Sequence, residues 1–133
     1  MPPIVMSSLD QARLDRLLES EAYRQLPGID ALMAEMDRAT VVRPQEVPPD
    51  VVTMNSTIRF RDDSNGHEFE LTLVYPADAG QPDTISILAP VGSALLGLSV
   101  GQSIAWQVPG GRELDLRVLA VVNQPEAQGE YHR

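Results

Sequence analysis

Pro44, Pro48 and Pro49 mark a stretch that no helix can cross and no central strand can use. Proline lacks an amide hydrogen, and its ring collides with the preceding turn. The hydrophobic pattern differs on the two sides of this stretch. Before it, apolar residues recur at helical spacing; after it, the period falls towards two. The chain therefore reads as a helical unit over residues 1–43 and a sheet unit over 44–133, with 41–50 as a linker or docking strap.

Residues 8–40 read as two helices. Ser8 is placed as an N-cap, with Gln11 three positions later completing a capping box. Leu14, Leu17, Leu18 and Ala22 then follow one helical face. Leu26-Pro27-Gly28 breaks the run, and Ile29, Leu32, Met33 and Met36 form a second narrow stripe. Asp30 lies in the first turn of that helix, where the dipole favours a negative charge. Two short amphipathic helices around a tight break predict an antiparallel hairpin, a minimal coiled coil. Each arm of about 14 residues would span only about 20 Å.

In the second unit, 57–61 and 68–74 alternate as strands around Asn65-Gly66, a strong signal for a two-residue type I′ turn. Residues 84–88 form a short apolar strand, and Pro90 opens a brief helix over 91–96, since proline suits the first helical position. Two further strands, 103–108 and 113–122, flank Pro109-Gly110-Gly111, and 123–133 reads as a polar tail. The expected architecture is α+β: an antiparallel sheet with one short helix against it, preceded by the hairpin.

Composition removes many chemistries. All ten basic residues are arginine, so a Walker A loop and lysine-based nucleophilic mechanisms are absent. There is no cysteine, hence no disulfide, thiolate nucleophile or cysteine-type zinc site. The net charge of −9 is spread along the chain, with no basic stripe to hold a nucleic-acid backbone. Direct nucleic-acid binding is expected to be weak or absent, and basic protein partners are favoured. No apolar run reaches membrane-spanning length and the start lacks a signal-peptide pattern, so a cytoplasmic protein is expected.

The candidate chemical groups are few. His67 and His132 are far apart in sequence. No serine lies in a Gly-x-Ser-x-Gly elbow, and Gly92, Gly97 and Gly101 do not make a dinucleotide fingerprint. Arg59 and Arg61 share a strand face and could grip an anion, although outward strand residues are usually just solvated. Glu19, Glu21 and Asp30 lie near the hairpin tip, where paired carboxylates could help hold a partner's divalent ion or simply be solvated helix-end charges. The segment 89–97 places small and apolar residues on a short helix after a strand. It is either core and cap throughout or, with Pro90 and Val91 outward, a compact apolar patch for a protein partner.

Three segments carry a family resemblance: Asp50-Val51-Val52-Thr53-Met54-Asn55-Ser56 opening the sheet, Leu73-Val74-Tyr75-Pro76 closing its first hairpin, and the glycine-punctuated run 89–102. With Gln124-Pro125-Glu126-Ala127 near the end, this resembles the C-terminal domain of the bacterial transcript-cleavage factors GreA and GreB, which has an FKBP-like fold. The Rnk family, regulators of nucleoside diphosphate kinase, joins that domain to a short helical hairpin and is the closer likeness.

The resemblance implies binding to RNA polymerase at the mouth of its secondary channel through the FKBP-like domain, and a monomer is expected. Gre factors carry a Ser-Pro-Ile/Met-Ala segment there; Ala89-Pro90-Val91-Gly92 is its counterpart, with alanine for the serine. Pro90, Val91, Ser93 and Leu95 are the expected polymerase-binding residues, with Glu19, Glu21 and Asp30 at the tip. The Gre-type acidic tip lies on a much longer coiled coil. Short arms without its asparagine imply competition with Gre factors and no transcript cleavage. No catalytic residue, metal or cofactor is expected. The alternatives are a prolyl isomerase on the FKBP-like half, disfavoured by scattered aromatics, and cleavage stimulation through the tip carboxylates.

Overall fold

A computed structural model describes residues 4–20, 23, 25–26, 29–107 and 113–129. The chain opens with strand β1 (Val5–Ser7), which runs directly into helix α1 (Ser8–Leu18). Helix α2 (Ile29–Arg38) and strand β2 (Thr40–Val42) follow. A 3-10 turn at Pro44–Glu46 precedes β3 (Thr57–Asp62) and β4 (His67–Val74). After a second such turn at Pro76–Asp78 come β5 (Thr84–Ser86) and helix α3 (Pro90–Leu95). Strands β6 (Ser103–Gln107) and β7 (Glu113–Asn123) precede a last 3-10 turn at Glu126–Gln128.

The expected α+β class holds, and five strands form the main sheet in the order β5-β4-β3-β7-β6. It is mixed rather than antiparallel: β5 runs parallel to β4, with Leu73 opposite Ile85. The connection between them turns the chain back, and Thr84 Oγ1 donates to the carbonyls of Gln81 and Ala79, 2.7 and 3.2 Å away. The β3–β4 turn also differs from expectation. Asp62 pairs with His67, leaving four loop residues. Gly66 takes φ +77° while Asn65 is not in the left-handed region, so the turn is not type I′. The Gly66 amide donates back to Asp62 O at 2.8 Å.

The first helix begins one residue earlier than its sequence suggests. Ser7, at the end of β1, is the N-cap, and its Oγ accepts the Asp10 amide at 3.0 Å. Helix α1 also ends sooner, at Leu18, so the two helices have 11 and 10 residues. Ala22, Glu21, Pro27 and Gly28 lie outside the described residues, as do Pro109-Gly110-Gly111 and His132.

The two sequence units share one hydrophobic core. Ile4, Met6, Leu14, Leu18, Ile29, Leu32 and Met36 belong to the same cluster as Met54, Ile58, Leu73, Leu95 and Leu98. Met33, placed on the apolar stripe by spacing, is instead 41% exposed. The N-terminal segment is anchored twice. Strand β1 pairs in parallel with β2, Val5 opposite Thr40, a pairing the sequence reading did not anticipate. On its other side the Val5 amide donates to Gly97 O at 3.1 Å. Gly97 has φ +83°, and a Cβ there would lie 2.7 Å from the Ile4 Cβ, so only glycine lets the two segments meet.

The segment 50–56, placed at the opening of the sheet, is an irregular loop, buried at Val51–Met54 and Ser56. Val51 makes a single bridge to Ser99, and the Thr53 amide donates to Ser56 Oγ at 3.1 Å. The start of the C-terminal tail is likewise ordered into the body. Gln124 is buried, and its Nε2 donates to Val51 O at 2.7 Å and Pro48 O at 2.8 Å.

Candidate functional site

Helix α3 is set by its first and third residues. Pro90 occupies the first turn after Ala89, whose backbone is extended as an N-cap requires. Gly92 has no side chain, and a Cβ there would sit 2.2 Å from Ser86 O. Helix and strand therefore approach closely, which turns residues 92–96 inward. Leu95 is 0% exposed and Ser93 only 6%, with its Oγ donating to Ile87 O at 2.7 Å. Both are corrected here: neither side chain lines a surface, because the packed face of the helix carries them. Pro90 is exposed and Val91 half-buried, so the outward patch is confined to the helix start.

At the arm, Glu19 caps the end of α1 and Asp30 lies in the first turn of α2; both are exposed. Among the described residues, no three histidines or carboxylates gather in a manner suited to a metal ion. Arg59 and Arg61 are already engaged: Arg59 Nη2 lies 3.1 Å from Glu70 Oε1, and Arg61 Nε 2.7 Å from Asp63 Oδ1. Asp63 also takes Arg117 Nε at 3.1 Å. Its carboxyl is held below the usual carboxylate range, first by the hydrogen bond from Arg61. The exposed Arg59–Glu70 pair and the half-buried Arg61–Asp63–Arg117 group thus leave neither Arg59 nor Arg61 without a carboxylate.

The most perturbed group was not singled out from sequence. Asp10 is 1% exposed on α1, with its Oδ2 accepting the Met54 amide at 3.1 Å. Burial pushes its pKa up to about 7, opposed by the Met54 hydrogen bond and reinforced by the nearby Glu126 carboxylate. Arg13 and Ser7 also oppose the rise. Glu126 in turn accepts from Thr53 Oγ1 at 2.8 Å, and Thr53 Oγ1 lies 2.7 Å from Ser56 Oγ. Tyr75 joins the group. Burial raises its phenol above the ordinary value, Asp10 adds to this, and Arg13 opposes it. The polar cluster therefore ties α1 to the loop before the sheet, the end of β4 and the C-terminal turn. One signal could have found it: Asp10 stands four residues before Leu14 and eight before Leu18, on the buried stripe.

The closeness of this body to known proteins is considerable. Residues 45–123 match the family model described as transcription elongation factor GreA/GreB, C-terminal, and residues 2–42 match the Rnk N-terminus. A solved structure titled as a prokaryotic transcription elongation factor GreA/GreB from Nitrosomonas europaea is 55% identical. It superposes with a TM-score of 0.72, covering 92% of this chain and all of that one. The GreA of Caldanaerobacter subterraneus subsp. tengcongensis is 33% identical over 94 residues, 70% of this chain and 59% of the relative. The "Regulator of nucleoside diphosphate kinase" of Escherichia coli K12 is 53% identical over 131 residues, 98% of this chain and 96% of the relative. The chain thus has a GreA/GreB-type body, and it belongs to the Rnk family, with the Rnk N-terminal segment joined to that body. Among the described residues, no helix is long and apolar enough to cross a membrane.

Proposed function

We propose that this protein is a non-enzymatic regulator of transcription elongation that binds RNA polymerase near its secondary channel. There it competes with Gre factors and does not stimulate transcript cleavage. The carrying observation is the near full-length likeness to a regulator of nucleoside diphosphate kinase, built on a body shared with GreA. The body is read as FKBP-like and the helices as a short hairpin. At 1.5 Å per residue, helices of 11 and 10 residues are only about 16 Å long, which favours occupying a channel mouth over threading it. Docking is assigned to Pro90 and Val91, the outward residues of α3, with Ala89 in the place of the Gre serine. The link to nucleoside diphosphate kinase is what the family's name carries. A monomer acting in the cytoplasm fits this reading.

The test is binding of the purified chain to core RNA polymerase, followed by displacement with GreA or GreB. Micromolar protein giving no complex rejects the proposal. Within it, Pro90→Ala with Val91→Asp weakens the complex more than Asp30→Ala. A dominant effect of Asp30→Ala would move the docking site to the arm. Backtracked complexes should show no shortened transcript ends on adding this protein.

A further inference from the structure

Beside the buried polar cluster, two clefts meet along a wall made by Arg13 and Tyr75. One, of about 390 Å³, lies among Arg13, Arg16, Leu17 and Tyr75. The other, of about 550 Å³, continues past Tyr75 to Asn55, Asp78 and Gln81. Both are open to solvent, as a surface that takes an extended segment must be. Together they form a trough from α1 across the end of β4 to the loop before β5.

Its chemistry is directional. At the α1 end, Arg13 and Arg16 stand one turn apart beside the apolar Leu17 and the Tyr75 ring. Arg13 lies near Asp10 and Tyr75. Among the described residues, Arg16 has no carboxylate partner. At the far end the charge reverses with Asp78, and the side-chain amides of Asn55 and Gln81 make no hydrogen bond within the described residues. Asn55 is held at φ +66°, a conformation uncommon outside glycine. A side-chain amide offers both a donor and an acceptor, the two groups a peptide unit needs.

We infer that this trough is a docking surface for an extended peptide segment of a partner protein, running acid, then apolar, then neutral or basic. The carboxylate pairs with Arg16, whose guanidinium is suited to two parallel hydrogen bonds. The apolar side chain covers Leu17 and Tyr75, and the peptide groups beyond it meet Asn55 and Gln81. Asp78 repels a second acid at that end, which fixes the direction. In a chain of net charge −9, Arg16 beside an apolar floor, without a carboxylate partner among the described residues, is the local feature that selects an acidic partner. The inference does not depend on the polymerase reading.

The experiment is an amide NMR titration of the full chain with three unlabelled peptides of equal length. The first has glutamate, leucine, then serine and lysine; the second replaces that lysine by a second glutamate; the third replaces the first glutamate by arginine. Benzoate serves as a small-anion probe. The first peptide should give saturable shifts at residues 13–17 and 72–75, weakened about tenfold by Arg16→Glu, the effect of losing one charge-assisted hydrogen bond. Arg16→Gln, with the same loss and no added charge, should weaken it in the same direction. Equal response to the doubly acidic or arginine peptide, shifts located elsewhere, or no shift overturns the inference. So does benzoate binding as tightly as the peptide, which would make the trough a small-anion site. Loss of polymerase binding without loss of these shifts would bear on the proposed function alone.

Discussion

The carboxyl of Asp10 accepts the amide hydrogen of Met54 at 3.1 Å across 44 positions of sequence. This contact joins the first helix to the loop that leads into the sheet, and it does so in a buried setting. A carboxyl in such a place binds a proton more tightly when folded than when unfolded.

Stability should therefore depend on pH in a defined direction. The folded pKa of Asp10 is about 7 against an ordinary 3.8. Its contribution is fully present below about pH 4 and is lost as pH rises through about 7. The unfolding free energy should fall from pH 5 to pH 8 by on the order of 3 kcal/mol at most, since only about two pH units of that window lie below the folded pKa and each carries 1.36 kcal/mol. Denaturant unfolding at several pH values measures the slope, and Asp10→Asn, which keeps an acceptor but cannot ionise, should flatten it. An unchanged slope in that variant would assign the dependence to another group.

Two glycines with the same backbone sign separate strain from collision. Gly97 and Gly101 have φ of +83° and +89°, but only Gly97 faces a neighbour, Ile4. Gly101→Ala should cost about 1–2 kcal/mol from left-handed strain alone. Gly97→Ala should cost about 2–4 kcal/mol, because displacing Ile4 adds to that strain. Paired denaturation curves check the difference.

Helix α3 should divide into a structural face and a surface face. Leu95→Ala removes a fully buried side chain and should lower stability by about 2–5 kcal/mol. Pro90→Ala, at an exposed position, should change it by less than about 1 kcal/mol. Thermal unfolding of the two variants gives the comparison, and a Leu95→Ala protein as stable as the parent would refute the packing described.

The C-terminal turn should hold the loop before the sheet in place. Gln124 donates to the carbonyls of Pro48 and Val51, so Gln124→Ala leaves both without that partner. A loss of about 1–3 kcal/mol is expected. Faster amide hydrogen exchange at residues 51–56 would be its local sign.

The long periodic features of the sequence located most of the body. Alternation placed β3 and β4, the helical stripe placed α2, and Pro90 marked the start of α3. What escaped had short-range or long-range causes that periodicity does not carry. Strands β1 and β2 have three residues each, too few to show a period, and their pairing moved the N-cap from Ser8 to Ser7. Ser93 and Leu95 turn inward because Gly92 meets Ser86, a contact between elements that spacing cannot reveal. Asp10 was legible in principle from its place on the Leu14–Leu18 stripe. Its partners Met54 and Glu126 were not, since they lie 44 and 116 positions away.

The pairing of β1 with β2 has a consequence for how such a chain could diversify. Ile4 O accepts the Thr40 amide at 3.0 Å, so the helices between these residues leave and return through a single fastened base. Closing a longer excursion on the same base costs little, roughly 0.6 kcal/mol for each doubling of a flexible loop. Helical turns added in register on both arms would bring their own packing with them. Reach then becomes a dimension that insertions can adjust independently of the body, much as a limb can lengthen while its joint keeps the same shape.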